Sequence, residues 1–148
     1  KKVNVVLLVI GPGDIEEMKK KAKKMGIKEN IIFTGPLMRE NAQKHYGGAD
    51  ASVFSSQTET QGLTIGEAMV AGAPVVALDS PIREEFYPED VATIARDESD
   101  FADAILYILN NPAERRKKIE AAKEFAADIF SKKRMIEKQI ALFQKLTQ

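Results

Sequence analysis

Ser55 to Asp79 reads SSQTETQGLTIGEAMVAGAPVVALD. A polar loop holding Glu59 runs into a helix that opens near Gly62 and carries Glu67. Gly72 ends that helix, and Pro74-Val75-Val76-Ala77 leads into a buried strand. The amino end of a helix presents unpaired backbone N–H groups and the positive end of its dipole, so it is a natural seat for phosphate. A carboxylate just before that seat and another about one turn beyond it can each accept hydrogen bonds from hydroxyls. Such a site suits a diphosphate with a sugar at one end and a ribose at the other, as in a nucleotide sugar.

Upstream, Val3 to Ile10 (VNVVLLVI) is a continuous aliphatic run, expected as a strand covered on both faces of a parallel sheet. It empties into Gly11-Pro12-Gly13, a turn that lets backbone approach a ligand. Asp14 is the expected N-cap of the next helix, with Glu17 completing a capping box and Gly26 stopping it. Asn30 to Thr34 reads as a second strand ending at Gly35-Pro36, Arg39 to Tyr46 as a short helix, and Ala51 to Phe54 as a third strand. Downstream, Pro74 to Leu78 and Val91 to Ala95 give a fourth and a fifth. Strands alternating with helices imply an α/β domain with a parallel sheet and right-handed crossovers. Ligands of such sheets bind at the carboxyl ends of the strands. The glycine turns, Ser55-Ser56 and the helix start at Gly62 all lie there, and they are expected to converge on one crevice. The remainder is helical: one helix capped by Ser99, one beginning at Pro112, and one capped by Ser131.

The 148 residues suffice for a single domain with one core. Lys plus Arg and Asp plus Glu each number 22, so no net field draws in nucleic acid. With no cysteine, disulfides and thiolate metal sites are excluded. No apolar run reaches the roughly 18–20 residues of a membrane span. Two glutamates eight apart ordinarily mean surface charge. Glu67, however, lies among Leu63, Ile65, Ala68, Met69 and Ala71, where an unpaired carboxylate is costly to bury. Gly66 beside it costs about 1 kcal/mol relative to alanine in a helix, which calls for close approach of a ligand or another backbone. His45 reads as partly exposed structure rather than as a base. Ser55-Ser56 lack the surroundings of a nucleophile elbow. The lysines from Lys19 to Lys24 read as a solvated helix face, with phospholipid headgroup contact as the minority alternative.

The frame TETQGLTIGEAMVAGAPVVA, with Glu59 and Glu67 separated by seven residues, resembles the E-x7-E signature of the retaining GT-B glycosyltransferases of family 4, also known as glycosyl transferases group 1. Ile32-Phe33-Thr34-Gly35, Tyr46 with Ala49-Asp50, and Phe54-x-Ser56 match that family in order and spacing. Thr58 to Leu63 most resembles its diacylglycerol glucosyltransferases. The resemblance covers about Val5 to Ala95, and residues 99–147 only in general character. It implies that residues 1–148 form the donor-binding, C-terminal Rossmann-like domain of a GT-B fold, lacking its first strand-helix unit. The parent enzyme would transfer a hexosyl group from a UDP- or GDP-hexose to an acceptor hydroxyl, with a glycolipid among the acceptors the resemblance implies, and the fragment alone would be inactive.

Residue by residue, the resemblance makes Glu59 the catalytic candidate, holding donor-sugar hydroxyls, and gives Glu67 the ribose. The amides of Gly62, Leu63 and Thr64 would meet the distal phosphate. Gly35 and Leu37 would flank the base, and Gly11 and Gly13 would line the donor crevice. No metal or cofactor is implied. The partner would be the nucleotide sugar, together with an acceptor-binding N-terminal domain not in this sequence. The location would be cytoplasmic, with any membrane contact at its inner face made through the parent protein. An Arg and a Lys that neutralise the diphosphate in the family would fall upstream of Lys1. The strand expected there is central in the family's sheet, so this sheet is expected to leave a gap, borrow a strand, or belong to a longer chain. Ser80-Pro81-Ile82-Arg83-Glu84 replaces the family's glycine-rich turn, and Arg83 is expected to form surface ion pairs rather than bind phosphate. The alternatives are a non-catalytic nucleotide-binding module, an epimerase-like GT-B domain, and a receiver-like domain. The last fits poorly, because the first and third strands lack the required acids.

Overall fold

The computed structural model describes residues 4–56, 58 and 61–146. The chain divides into two compact units, Lys1–Ala42 and Gln43–Gln148.

In the first unit, β1 (Leu7–Ile10) pairs in parallel with β2 (Ile31–Gly35), and α1 (Ile15–Lys24) connects them. Asp14 caps α1 as expected, its Oδ1 accepting from the Glu17 amide at 2.9 Å. Glu17 itself turns to an ion pair with Lys21, and Lys19 pairs with Glu16, so this part of the lysine run is a solvated, charge-paired face. The expectation of a first strand from Val3 covered on both faces is corrected. The strand begins at Leu7, none of its residues is buried, and Val5, Val6 and Leu7 are exposed. Among the described residues β1 has β2 as its sole ladder partner, and the helix between them packs against β2. An aliphatic run reports strand propensity, whereas burial depends on what lies beside it.

The second unit is three-layered. Strands β3 (Ser52–Phe54), β4 (Val75–Leu78) and β5 (Ala92–Ala95) form a parallel sheet in that order, with β4 central. Alternate residues of β4 serve opposite faces, as its period of two requires. Val75 and Ala77 join α3 (Leu63–Val70) and α6 (Pro112–Ile129) in a core with Ile65, Met69, Tyr87 and Ala122. Val76 and Leu78 pack on the other side against Ala104 and Ile108 of α5 (Glu98–Asn110). Each large side chain buried in this way contributes about 1.5–3 kcal/mol. α2 (Arg39–Gly47) begins in the first unit and ends in the second, and α7 (Lys132–Leu146) follows Ser131. Ser131 Oγ accepts from the Arg134 amide, so that cap is confirmed. The cap of α5 is Asp97 rather than Ser99: its Oδ1 takes the Asp100 amide at 2.9 Å, two residues earlier than expected. The one-turn helix α4 (Arg83–Phe86) was not expected from the sequence. The five strands thus form two parallel sheets flanked by helices, with no described ladder joining β1 and β2 to the others. Among the described residues no helix is long and apolar enough to cross a membrane.

The mid-helix glycine of α3 has a packing cause. A Cβ at Gly66 would stand 2.5 Å from Cε2 of Phe130, so an aromatic ring occupies that space, not the ligand or second backbone expected from the sequence. Gly66→Ala gains about 1 kcal/mol of helix propensity but overpacks the site at a cost of about 1–3 kcal/mol. Urea unfolding is expected to show net destabilisation, part of it recovered by Phe130→Leu in the same chain. A more stable Gly66→Ala protein would mean that the ring yields freely.

Candidate functional site

The two ends of α3 are built differently. At its amino end Gly62 is the N-cap, with φ 61 and ψ 20. This left-handed conformation favours glycine, and an added Cβ would meet Phe86 Cβ at 3.1 Å. A glycine cap supplies no side-chain oxygen to the first-turn amides. The Gly66 amide closes the first turn on the Gly62 carbonyl at 2.8 Å. Gly62 is buried, while Leu63 and Thr64 face solvent. The helix start is therefore backed by the Phe86 side chain, with Leu63 and Thr64 of its first turn exposed. At the carboxyl end the Gly72 amide bonds to the Met69 carbonyl and the Ala73 amide to the Ala68 carbonyl, both at 3.0 Å. This Schellman pair turns the chain into β4.

Glu67 lies one turn into α3 and is half-buried. Its carboxylate is felt by Tyr46, at the end of α2. Burial is the first cause, and the negative charge of Glu67 the second, that hold the Tyr46 phenol above its ordinary value of 10.0. Glu59 lies outside the described residues. Ser55 and Ser56 follow β3 and are exposed. His45 is exposed as well, in keeping with a structural position.

In the first unit, Gly11 and Gly13 follow β1, Gly35 ends β2 and Leu37 lies two residues further on. The Gly11 amide donates to the Gly35 carbonyl at 3.0 Å, so those two turns are stitched side by side at the carboxyl ends of their strands. The site residues are thus gathered into two sets: Gly11, Gly13, Gly35 and Leu37 in one unit, and Gly62, Leu63, Thr64 and Glu67 in the other.

Arg83 is held by carboxylates. Its Nε lies 3.0 Å from Asp79 and its Nη1 3.4 Å from Glu89, and it also pairs with Glu84. The ion-pairing expectation for Arg83 stands, its guanidinium partly buried beneath exposed carboxylate partners. Among the described residues no group of three His, Cys, Asp or Glu side chains is placed to hold a metal ion. Tyr46, within the field of Glu67, had no role read from the sequence, although its place in a matching segment marked it.

A Rossmann-like α/β frame with a glycine-capped helix at the carboxyl side of its strands belongs to the class of folds that seat phosphate-bearing ligands at such helix starts. The chain belongs to the glycosyl transferases group 1 family, whose profile it matches over residues 1–125. It is 33% identical over 107 residues to the alpha-monoglucosyldiacylglycerol synthase of Streptococcus pneumoniae, covering 71% of this chain and 24% of that protein. It is 32% identical over 127 residues to the phosphatidyl-myo-inositol mannosyltransferase of Mycobacterium leprae, covering 82% of this chain and 33% of that one. The fold superposes on an S. aureus TarM variant solved with fondaparinux, alpha-GlcNAc-glycerol and UDP, at a TM-score of 0.80 and 25% identity, over 94% of this chain and 29% of TarM. The chain thus spans about a quarter to a third of the length of these relatives.

Because the folded pKa of Tyr46 is raised, its neutral form stabilises the fold. That contribution is complete below pH 10.0 and is lost as pH rises through the folded value. Spectrophotometric titration of the phenols, with Tyr46→Phe subtracted to isolate this one, is expected to show its ionisation at lower pH in Glu67→Gln than in the parent sequence. An unmoved titration would remove the carboxylate from the neighbourhood of the phenol.

Proposed function

We propose that this domain binds the nucleotide diphosphate end of a sugar donor for a retaining hexosyl transfer. In the parent protein, an acceptor-binding domain would supply the hydroxyl that receives the sugar. The single observation that carries the reading is the amino end of α3, glycine-capped, backed by Phe86 and exposed at Leu63 and Thr64. Amides of Gly62, Leu63 and Thr64 receive the distal phosphate, and Glu67 receives the ribose hydroxyls. Glu59, within the E-x7-E frame, receives hydroxyls of the donor sugar. Gly35 and Leu37 flank the base, and Gly11 and Gly13 line the donor crevice.

In this scheme the domain does little covalent chemistry. As the bond from the anomeric carbon to the diphosphate oxygen breaks, negative charge grows on the departing diphosphate, and oriented N–H groups with the dipole of α3 stabilise it. Because those donors are fixed before the reaction, little reorganisation is needed at the transition state. The scheme asks for no metal ion. Uridine is the favoured base, since UDP occupies the TarM relative, and a glycolipid acceptor at the inner face of the membrane fits the lipid names of the two sequence relatives.

Calorimetry of the full chain against UDP-, GDP- and ADP-sugars is expected to show weak binding with UDP-sugars ahead, and no turnover until an acceptor domain is supplied. Glu67→Ala is expected to weaken UDP by roughly tenfold to a hundredfold, the worth of hydrogen bonds to a charged acceptor. Equal affinity in the variant would take Glu67 out of the ribose site.

A further inference from the structure

The structure assigns Tyr46 as a positioning residue for Glu67: packed between the end of α2 and the flank of α3, it holds the carboxylate toward the ligand's ribose. This assignment rests on the ribose role proposed for Glu67. The geometry begins at the helix ends. A Cβ on Gly47 would stand 3.2 Å from the Ala71 carbonyl, so the last turn of α2 abuts the carboxyl end of α3. Ala71 lies four residues after Glu67, and the Ala71 amide bonds to the Glu67 carbonyl at 3.0 Å, so the two share one face of α3 one turn apart. Tyr46 precedes Gly47 and packs against the buried cluster that holds Ile65, Ala68 and Met69 of the same helix. Its backbone is fixed too, since the Ala49 amide donates to the Tyr46 carbonyl at 3.0 Å. Tyr46 thus sits at the junction where α2 meets the Glu67–Ala71 side of α3, and the field of the Glu67 carboxylate at the phenol agrees with that placement. A glutamate on a helix has three rotatable bonds. A ring at that junction narrows the rotamers open to Glu67, so less ordering is left to be done when the ligand binds.

The test uses UDP and a UDP analogue lacking both ribose hydroxyls, titrated into the full chain and its Tyr46→Phe, Glu67→Ala and doubly substituted forms. Tyr46→Phe keeps the ring and is expected to weaken UDP about threefold to tenfold, with little change in the unfolding midpoint. The same substitution is expected to leave the analogue unaffected and to add nothing in the Glu67→Ala background. A merely structural tyrosine would shift the midpoint, or weaken UDP and its analogue alike, and either result overturns the assignment. If Glu67→Ala weakens UDP while Tyr46→Phe does not, the positioning role alone falls. If Glu67→Ala has no effect, the ribose role falls and the positioning role with it.

Discussion

The second unit depends on the contact between α3 and an aromatic pair. The Phe130 ring fills the place a side chain would take at Gly66. It lies tilted at 34° to Phe86, ring centroids 6.0 Å apart, and Phe86 in turn touches Gly62 at the helix start. Two glycines one turn apart therefore lie against two rings that also contact each other. Such contacts set both the depth and the roll of the first turn, which cannot shift without losing a close-packed surface. Roll is what aims the first-turn amides, so the direction of the proposed phosphate seat follows from hydrocarbon packing on its far side.

Phe86 must itself be held, and the segment after β4 does this with polar groups. The buried Tyr87 donates its hydroxyl to the Leu78 carbonyl at 3.3 Å and meets Ser80 Oγ, which ties α4 back to the strand end. Lys118 reaches from α6 to the carbonyls of Glu89 and Ala92, the latter at 2.9 Å. Burial holds its ammonium below the ordinary 10.5, although the carboxylates of Glu114, Asp90 and Glu89 work against that shift. A half-buried lysine is costly unless its hydrogens are used, and here they tie α6 to the turn before β5 and to the first residue of that strand. Arg83 belongs to the same structure: its carboxylate partners commit it to shaping the turn.

These dependencies explain what the sequence disclosed. β4 was legible because VVAL between a Schellman glycine and an aspartate allows little else, and it proves buried on both faces. The capped starts of α1 and α7 were legible because capping is local chemistry, and the start of α6 because Pro112 suits a first helical position. Gly66 announced an unusual contact but not its identity, since Phe130 comes from a distant part of the chain. α4 was missed because Arg83 to Phe86, between Pro81 and Pro88, has too few residues to show a helical period. β1 was over-read for the opposite reason: its aliphatic pattern is strong, but cover is a property of neighbours that the pattern cannot name. For the candidate site, Glu67 and the start of α3 were legible from spacing and composition. Tyr46 entered only as part of a matching segment, because its relation to Glu67 arises from two helix ends meeting.

The two kinds of group assigned to the donor differ in how they are fixed, and this difference divides their work. The amides at Gly62, Leu63 and Thr64 are backbone, and the Phe86–Phe130 pair locks their direction. They suit a group common to every nucleotide donor, the diphosphate, whose charge grows in the reaction. Glu67 is a side chain with rotational freedom, half-buried on a neighbouring turn, and it suits hydroxyls whose positions depend on how the ligand lies. A flexible acceptor loses entropy when it binds, unless its surroundings have already narrowed its choices. The end of α2 lies against the carboxyl end of α3, where the proposed positioning by Tyr46 would impose that restriction, so a rigid anion seat and a carboxylate narrowed by its neighbour would divide the ligand between them.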